Sequence, residues 1–273
     1  MNQPAATQKF PTPQSAGETL LSVRNLGKSY GPNQVLGDIS VDVRTGEFLC
    51  IVGPSGAGKT TLLQCLSGLI APTSGSVSLR GVEVNEPPAE MAIVFQDYSR
   101  SLMPWLSVLD NVALPLRSTK MAKADIKKKA TAALEEVGLA GHLGKYPWQL
   151  SGGMQQRVAI ARALAFEPAI VLMDEPFASV DAQTRSDLED LTLKLKQHLG
   201  ITIVLVTHDI DEAVYLSDRV LVLGGRPTKV VDLIETHLGD DRDQISTKST
   251  AQFAELRAKV YQEIRTQPAP GQV

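Results

Sequence analysis

Apolar and polar positions change their rhythm twice along the chain. Residues 20–23, 39–43 and 48–52 are apolar stretches of strand length, broken by the turn chemistry of Gly31-Pro32-Asn33 and Thr45-Gly46-Glu47, and together they predict an antiparallel sheet. From Gly58 onward, helical stretches alternate with short apolar strands at 169–173, 203–207 and 220–223, the pattern of parallel strands joined by crossover helices. Between about 97 and 165 the strand rhythm disappears. Residues 108–116, 123–137 and 154–166 have helix length, with Gly138 and Gly141 as stops, so a helical subdomain inserted in the sheet domain is predicted. Residues 1–18, with Pro4, Pro11 and Pro13 and no apolar periodicity, read as a disordered tail. After Gly239 a polar linker over 240–250 leads to 251–265, where Phe253, Leu256, Val260 and Ile264 recur at helical spacing, and a Pro/Gly tail closes the chain at 273. No internal repeat is visible. The expected class is α/β, with a mixed sheet core, an antiparallel β subdomain and the inserted helical subdomain, all within 19–239.

Composition narrows the picture slightly. With 43% hydrophobic and 21% charged residues over 273 positions, a wholly disordered or fibrous chain is excluded. The balance of 27 Lys and Arg against 30 Asp and Glu gives a net charge of -3, so no bulk attraction for nucleic acid or anionic lipid is expected. No apolar stretch approaches the roughly 20 residues of a membrane-spanning helix, and no charged-then-apolar leader opens the chain; the expectation is a soluble protein that stays where it is made. Cys50 and Cys65 lie in apolar segments and read as core fillers rather than a disulfide or zinc site. Lys120, Lys123, Lys127, Lys128 and Lys129 read as a solvated helix face. His142, His198 and His237 receive no role.

Candidate chemistry begins at Gly53-Pro54-Ser55-Gly56-Ala57-Gly58-Lys59-Thr60-Thr61, which follows an apolar strand, opens a helix and matches G-x-x-x-x-G-K-[ST]. Glycines there let successive backbone N–H groups converge on phosphate oxygens, and the helix N-terminus adds the positive end of its dipole. Lys59 would neutralise β/γ oxygens, and Thr60 would offer its hydroxyl to Mg²⁺. A second element is the apolar strand ending at Asp174-Glu175-Pro176. Strands of an open α/β sheet present their carboxyl ends to the ligand crevice, so Asp174 can reach Mg²⁺ and Glu175 an attacking water. Third, Ser151 is a good N-cap, and Gly152 and Gly153 expose amides at a second anion-binding helix end.

In this order, over about residues 20–234, these motifs resemble the ATP-binding subunit of an ATP-binding cassette (ABC) transporter. The resemblance implies a P-loop NTPase fold of the ABC ATPase type. It identifies 53–61 with the Walker A loop, 150–155 with the signature sequence, and 170–175 with the Walker B strand and its catalytic glutamate. Gln96 resembles the Q-loop glutamine, which links the Mg²⁺ and water site to the membrane partner; Asp181 lies in a stretch similar to the D-loop. His208 matches the switch histidine that contacts the γ-phosphate, and Tyr30 the aromatic that stacks on adenine. Implied cofactors are ATP and Mg²⁺, with Thr60, Gln96 and Asp174 on the metal. Met154 stands where many family members have Gln, which removes one side-chain amide near the nucleotide, and Met is familiar there among importers resembling the nitrate/sulfonate/taurine group.

The apolar run Leu102-Met103-Pro104-Trp105-Leu106, directly after the Gln96 segment, resembles the Leu-x-Pro-Trp stretch of those importers. As a surface cluster it would dock transmembrane permease subunits, aromatic and Met residues being enriched at interface centres. The implied assembly is a homodimer in which each signature covers the other chain's nucleotide, peripheral on the cytoplasmic face of the membrane and dependent on a periplasmic or extracellular solute-binding protein, with no nucleic acid partner. Two other classes of protein share the nucleotide-binding motifs. A soluble ABC-type ATPase of DNA repair or translation would normally show a coiled-coil insertion, a second cassette or a basic surface; a non-catalytic nucleotide-binding regulator would be expected to lose Glu175 or His208.

Overall fold

Strands β1 (Thr19–Tyr30) and β2 (Asn33–Arg44) form an antiparallel hairpin that closes at Tyr30 opposite Asn33. Burial alternates along the second half of β2, so one face of the hairpin is apolar and must be covered. The computed structural model describes residues 17–97 and 101–266. Most of the expected tail at 1–18, residues 98–100 and the Pro/Gly stretch after Thr266 therefore lie outside the described residues.

Residues 48–52 correct the expectation of a single antiparallel sheet. Strand β3 (Phe48–Val52) is buried at every position, as a strand covered on both faces must be. It leaves the hairpin and joins a second sheet. The hairpin is extended instead by β4 (Ser74–Leu79) and β5 (Val82–Glu83), in the order β2-β1-β4-β5. The second sheet contains β6 (Met91–Val94), β7 (Ile170–Asp174), β8 (Thr202–Val206), β9 (Arg219–Gly224) and β10 (Lys229–Glu235), in the order β10-β9-β3-β8-β7-β6. Its pairings are parallel from β9 to β6, and only β10 runs antiparallel, along the edge.

Two hydrophobic layers follow from this arrangement. One face of the parallel sheet packs on the antiparallel sheet through α1 (Lys59–Leu66), with Leu62, Leu63 and Cys65 in the layer. The other face carries the remaining helices, and Cys50 points into that layer. Both cysteines are buried and free, as expected.

The segment between β6 and β7 is helical: α2 (Val108–Ala113), α3 (Lys123–Glu136) and α4 (Gly152–Leu164) pack on one another, and no strand occurs there among the described residues. The helix expected over 108–116 stops at Ala113, because Pro115 has no amide to continue it; a 3-10 turn, Pro115–Ser118, follows. Helices α5 (Ala182–Leu199) and α6 (Ile210–Leu216) cross between strands of the main sheet. Helix α7 (Ala251–Arg265) docks on α6 and β9 with Phe253 and Val260 buried, on the periodicity read from the sequence.

Candidate active site

Because β3, β8, β7 and β6 are successive parallel neighbours, their carboxyl ends open on one edge of the sheet, where open α/β sheets bind ligands. The 53–61 loop leaves the end of β3. A Cβ on Gly53 would lie 2.7 Å from the Leu223 carbonyl oxygen, and Gly58, at φ 71°, would drive one to 2.6 Å from Val35 Cγ1, so neither position accepts a side chain. No side chain caps α1, which leaves its first amides for an anion. Lys59 is buried and donates through Nζ to the Gly53 and Pro54 carbonyls at 2.9 and 3.1 Å. Burial pushes its pKa down, while the nearby charges of Glu175 and Asp174 pull it back up.

Asp174 ends β7, and its Oδ1 lies 3.4 Å from Thr60 Oγ1. That is long for an O–H···O bond, so the two oxygens pair only weakly and both remain open to a further partner. Burial raises the Asp174 pKa, Thr60's hydroxyl lowers it, and the charges of Glu175 and Lys59 act in opposite directions. A buried carboxyl beside a hydroxyl suits a hard cation, and Mg²⁺ takes few protein ligands, completing its shell with water and phosphate. Among the described residues, no group of three or more His, Cys, Asp or Glu could hold a metal ion by itself.

Glu175 stands just beyond the strand at φ 43°, a left-handed conformation uncommon outside glycine, and its amide donates to Val206 O at 2.8 Å. Its Oε2 accepts from Gln96 Nε2 at 3.0 Å, and His208 Nδ1 lies 3.2 Å from the same oxygen. Among the described residues no hydrogen bond reaches Oε1. Gln96 comes from the end of β6 and His208 from the end of β8, so the two neighbours of β7 supply both groups. Gln96 was also expected beside the metal ligands; it is joined to Glu175 and makes no hydrogen bond to Thr60 or Asp174 among the described residues.

The remaining expected residues stand elsewhere. Ser151 caps α4, accepting from Met154 N at 3.3 Å, and Asp181 caps α5, accepting from Thr184 N at 3.0 Å. The bonds donated by the Thr184 amide and, at 2.7 Å, by its hydroxyl hold the Asp181 carboxyl below its ordinary pKa. Gly153 and Thr184 bring the two helix ends together so closely that a Cβ on Gly153 would meet Thr184 Cγ2 at 2.2 Å. Neither Ser151 nor Asp181 hydrogen-bonds to the 53–61 loop among the described residues. Tyr30 is half exposed at the end of the hairpin, with Lys28 Nζ 5.2 Å above one ring face.

Two supporting residues escaped the sequence reading. Asp209 caps α6 and pairs with Arg185 at 3.2 Å, joining the His208 loop to α5; its place just before an apolar helix was the available signal. Asn111 is fully buried and holds the 103–107 loop through Met103, Leu106 and Ser107, which no local pattern announces. In that loop the expected surface cluster divides: Leu102 is buried in the helical core, whereas Trp105 is 71% exposed.

A phosphate-binding loop between a parallel strand and a helix, with two carboxylates at the end of a strand of the same sheet, defines an α/β nucleoside triphosphatase. The "ABC transporter" family description matches residues 36–178, and the chain belongs to that family. It is 48% identical, over 88% of its length and 89% of the relative's, to an uncharacterized ABC transporter ATP-binding protein of Methanocaldococcus jannaschii. It is 40% identical to the taurine import ATP-binding protein TauB of Jannaschia sp., over 89% of this chain and 92% of that one. Among solved structures it resembles a dimeric ATP-binding cassette in a post-hydrolysis state with ADP and Pi bound, at 34% identity and a TM-score of 0.67, covering 79% of this chain and 98% of the other. The protein is therefore an ABC ATPase that binds and hydrolyses ATP.

Proposed function

We propose that this chain powers an importer for a small solute, a nitrate-, sulfonate- or taurine-type anion or a related small organic molecule, through separate membrane subunits. Its similarity to a taurine import protein over most of both chains supports that reading over one in DNA repair or translation. Residues 19–239 form the cassette, with 97–165 as its helical part and 240–273 as an appended linker, helix and tail. The exposed Trp105, on a loop pinned by Asn111, would meet the membrane subunits near Gln96–Leu106, holding the cassette at the cytoplasmic face of the membrane. Transport would further require a solute-binding protein.

The observation that carries the catalytic part is Glu175, oriented through Oε2 from both sides with Oε1 left for water. ATP phosphates would lie along the 53–61 amides, with Lys59 turning from the Gly53 and Pro54 carbonyls to the β and γ oxygens. Mg²⁺, held by Thr60 and Asp174, would neutralise phosphate charge. Glu175 takes the proton of the attacking water as its oxygen bonds to the γ-phosphorus and the bond to ADP breaks. His208 donates to the γ-phosphate, and Gln96 keeps Glu175 aligned. Adenine stacks on the open face of Tyr30. The 151–153 and 181 positions, whose Ser151 and Asp181 make no hydrogen bond to the chain's own loop among the described residues, would serve a second copy's nucleotide.

Glu175→Gln tests the assignment. It keeps the shape and one acceptor for Gln96 but has no base, so turnover should fall by about 10²–10⁴-fold, about 3–5 kcal/mol of barrier, with ATP affinity retained. Hydrolysis within a few-fold of the parent would remove Glu175 from the role. Lys59→Ala, measured alongside, should lose ATP affinity itself.

A further inference from the structure

Tyr146 and Trp148 stack on each other with ring centroids 5.9 Å apart and an interplanar angle of 13°, yet Tyr146 is 39% and Trp148 70% exposed. Burial does not explain the pair, because most of the Trp148 surface faces water. The platform is nevertheless held firmly. Its 3-10 turn, Pro147–Gln149, has Pro147 buried, and Gln149 Oε1 accepts from Tyr146 N at 2.9 Å. Gln155, on the first turn of α4, donates to Pro147 O at 3.0 Å and Leu150 O at 3.3 Å. The aromatic pair is thus fixed to the same helix end that carries Ser151.

Position along the chain suggests what the pair meets. At about 2 Å per residue within the 3-10 turn and about 3.3 Å per residue through the extended Leu150 and Ser151, Trp148 starts up to roughly 9 Å of chain before Ser151, and its side chain extends further. If Ser151 faces a terminal phosphate, the indole stands off in the range of that nucleotide's base rather than its phosphates. Met154, where a family amide would sit beside the nucleotide, instead packs half-buried against the helical core. On the nucleotide-holding side, Lys28 covers one face of Tyr30, so a base stacked on the other face would still present its own second face to solvent.

Resting on the reading of Ser151 as a contact to a second copy's nucleotide, we propose that the Tyr146–Trp148 platform stacks on the base of the ATP held by the partner subunit, so that the base lies between two aromatics. Every base has a π face, so this contact selects for the presence of a base rather than for one purine over another. It is continuous with the surface on which the helix ends of α4 and α5 stand exposed.

The test uses the full chain carrying Glu175→Gln, which arrests hydrolysis, and Trp105→Phe, which leaves Trp148 as the only tryptophan. Mg-ATP should drive dimerisation, read by sedimentation, and shift and quench Trp148 emission in step with it. Mg-tripolyphosphate, which has the phosphates but no base, should leave the emission unchanged. Adding Trp148→Ala should raise the ATP concentration for half-dimerisation about tenfold, within the range of one aromatic stack, and Trp148→Phe should restore most of it. Dimerisation with ATP but unaltered emission, and no effect of Trp148→Ala, would overturn the platform while leaving the ATPase reading intact. Emission that changes only when membrane subunits are added would assign the pair to them and likewise overturn it. Failure to dimerise with ATP at all would overturn the platform together with the reading of Ser151 as a contact to a second copy's nucleotide.

Discussion

Replacing Glu47 with alanine tests how the two sheets are joined. Glu47 lies in the turn before β3, and its carboxylate, 5% exposed, receives Arg219 Nε and, at 2.9 Å, Arg219 Nη2 from β9. Nη2 also donates to Asp42 O on β2 at 2.6 Å, and the Arg44 amide donates to Glu47 Oε2 at 2.6 Å. One guanidinium therefore fastens the antiparallel sheet to the parallel one. Deleting the carboxylate leaves that guanidinium, 9% exposed, with the Asp42 carbonyl. Breaking a buried pair from one side costs about 3–5 kcal/mol. The retained carbonyl, together with water entering the space alanine leaves, favours the lower end, so a loss of about 3 kcal/mol is expected, a large share of a typical stability of about 5–15 kcal/mol. Urea unfolding followed by circular dichroism measures it. Converting both positions, as Glu47→Leu with Arg219→Met, removes the stranded charge and should recover most of the loss. The pair sits at the amino end of β3, about 17 Å of strand from the 53–61 loop, so ATP affinity of the folded protein should not change. A loss below about 1 kcal/mol, or a double variant no better than the single one, would refute this account of the sheet junction.

Glu212 is buried on α6 with Oε1 unpaired, and burial, followed by the charges of Glu189 and Asp209, pushes its pKa well above the carboxylate range. Above about pH 4.3, the ordinary value, the folded state then holds a proton that the unfolded state releases, so this group lowers stability as pH rises towards its folded pKa. Glu212→Gln should therefore raise the thermal midpoint more at pH 8 than at pH 5, and an equal shift at both would reject the assignment. Gly153→Ala should force α4 away from α5, because its Cβ would meet Thr184 Cγ2 at 2.2 Å, and lower ATPase activity at least about tenfold. Adding Thr184→Ser removes that methyl, keeps the hydroxyl that donates to Asp181, and should restore activity; no rescue would show that the clash is not the cause.

Legibility in the sequence followed the range of each signal. The 53–61 loop and the strand to Asp174 were readable because their chemistry is contiguous and both lie at strand ends. Helix α7 was readable from the spacing of its buried residues. Strand β3 was assigned to the wrong sheet, since an apolar run shows that a strand is buried on both faces but not which strands flank it. Strands β4, β5 and β10 went unread: β4 is mostly small and polar, β5 is two exposed residues, and β10 is a half-exposed edge. The pairing of Gln96 and His208 on one oxygen depends on strand order, which places β6 and β8 on either side of β7 and cannot be read from either residue's neighbours.

On the roles proposed for these residues, that shared oxygen is also where two routes across the molecule meet. Gln96 leads within a few residues to the loop that exposes Trp105, which Asn111 fixes to the helical core. His208 leads to Asp209, whose ion pair with Arg185 reaches the helix capped by Asp181. Glu175 itself has little backbone freedom, because its left-handed φ costs about 1–2 kcal/mol and is held by the hydrogen bond its amide donates to the Val206 carbonyl. Its side chain is then the part that can respond. A displacement of the Trp105 loop or of the α5 end would change the groups held against Oε2, and so the aim of Oε1 at water, without altering the loop that grips the phosphates. Hydrolysis would depend on both partner-facing surfaces while the chain's own grip on the phosphates would not, which is the separation an energy-coupling subunit requires.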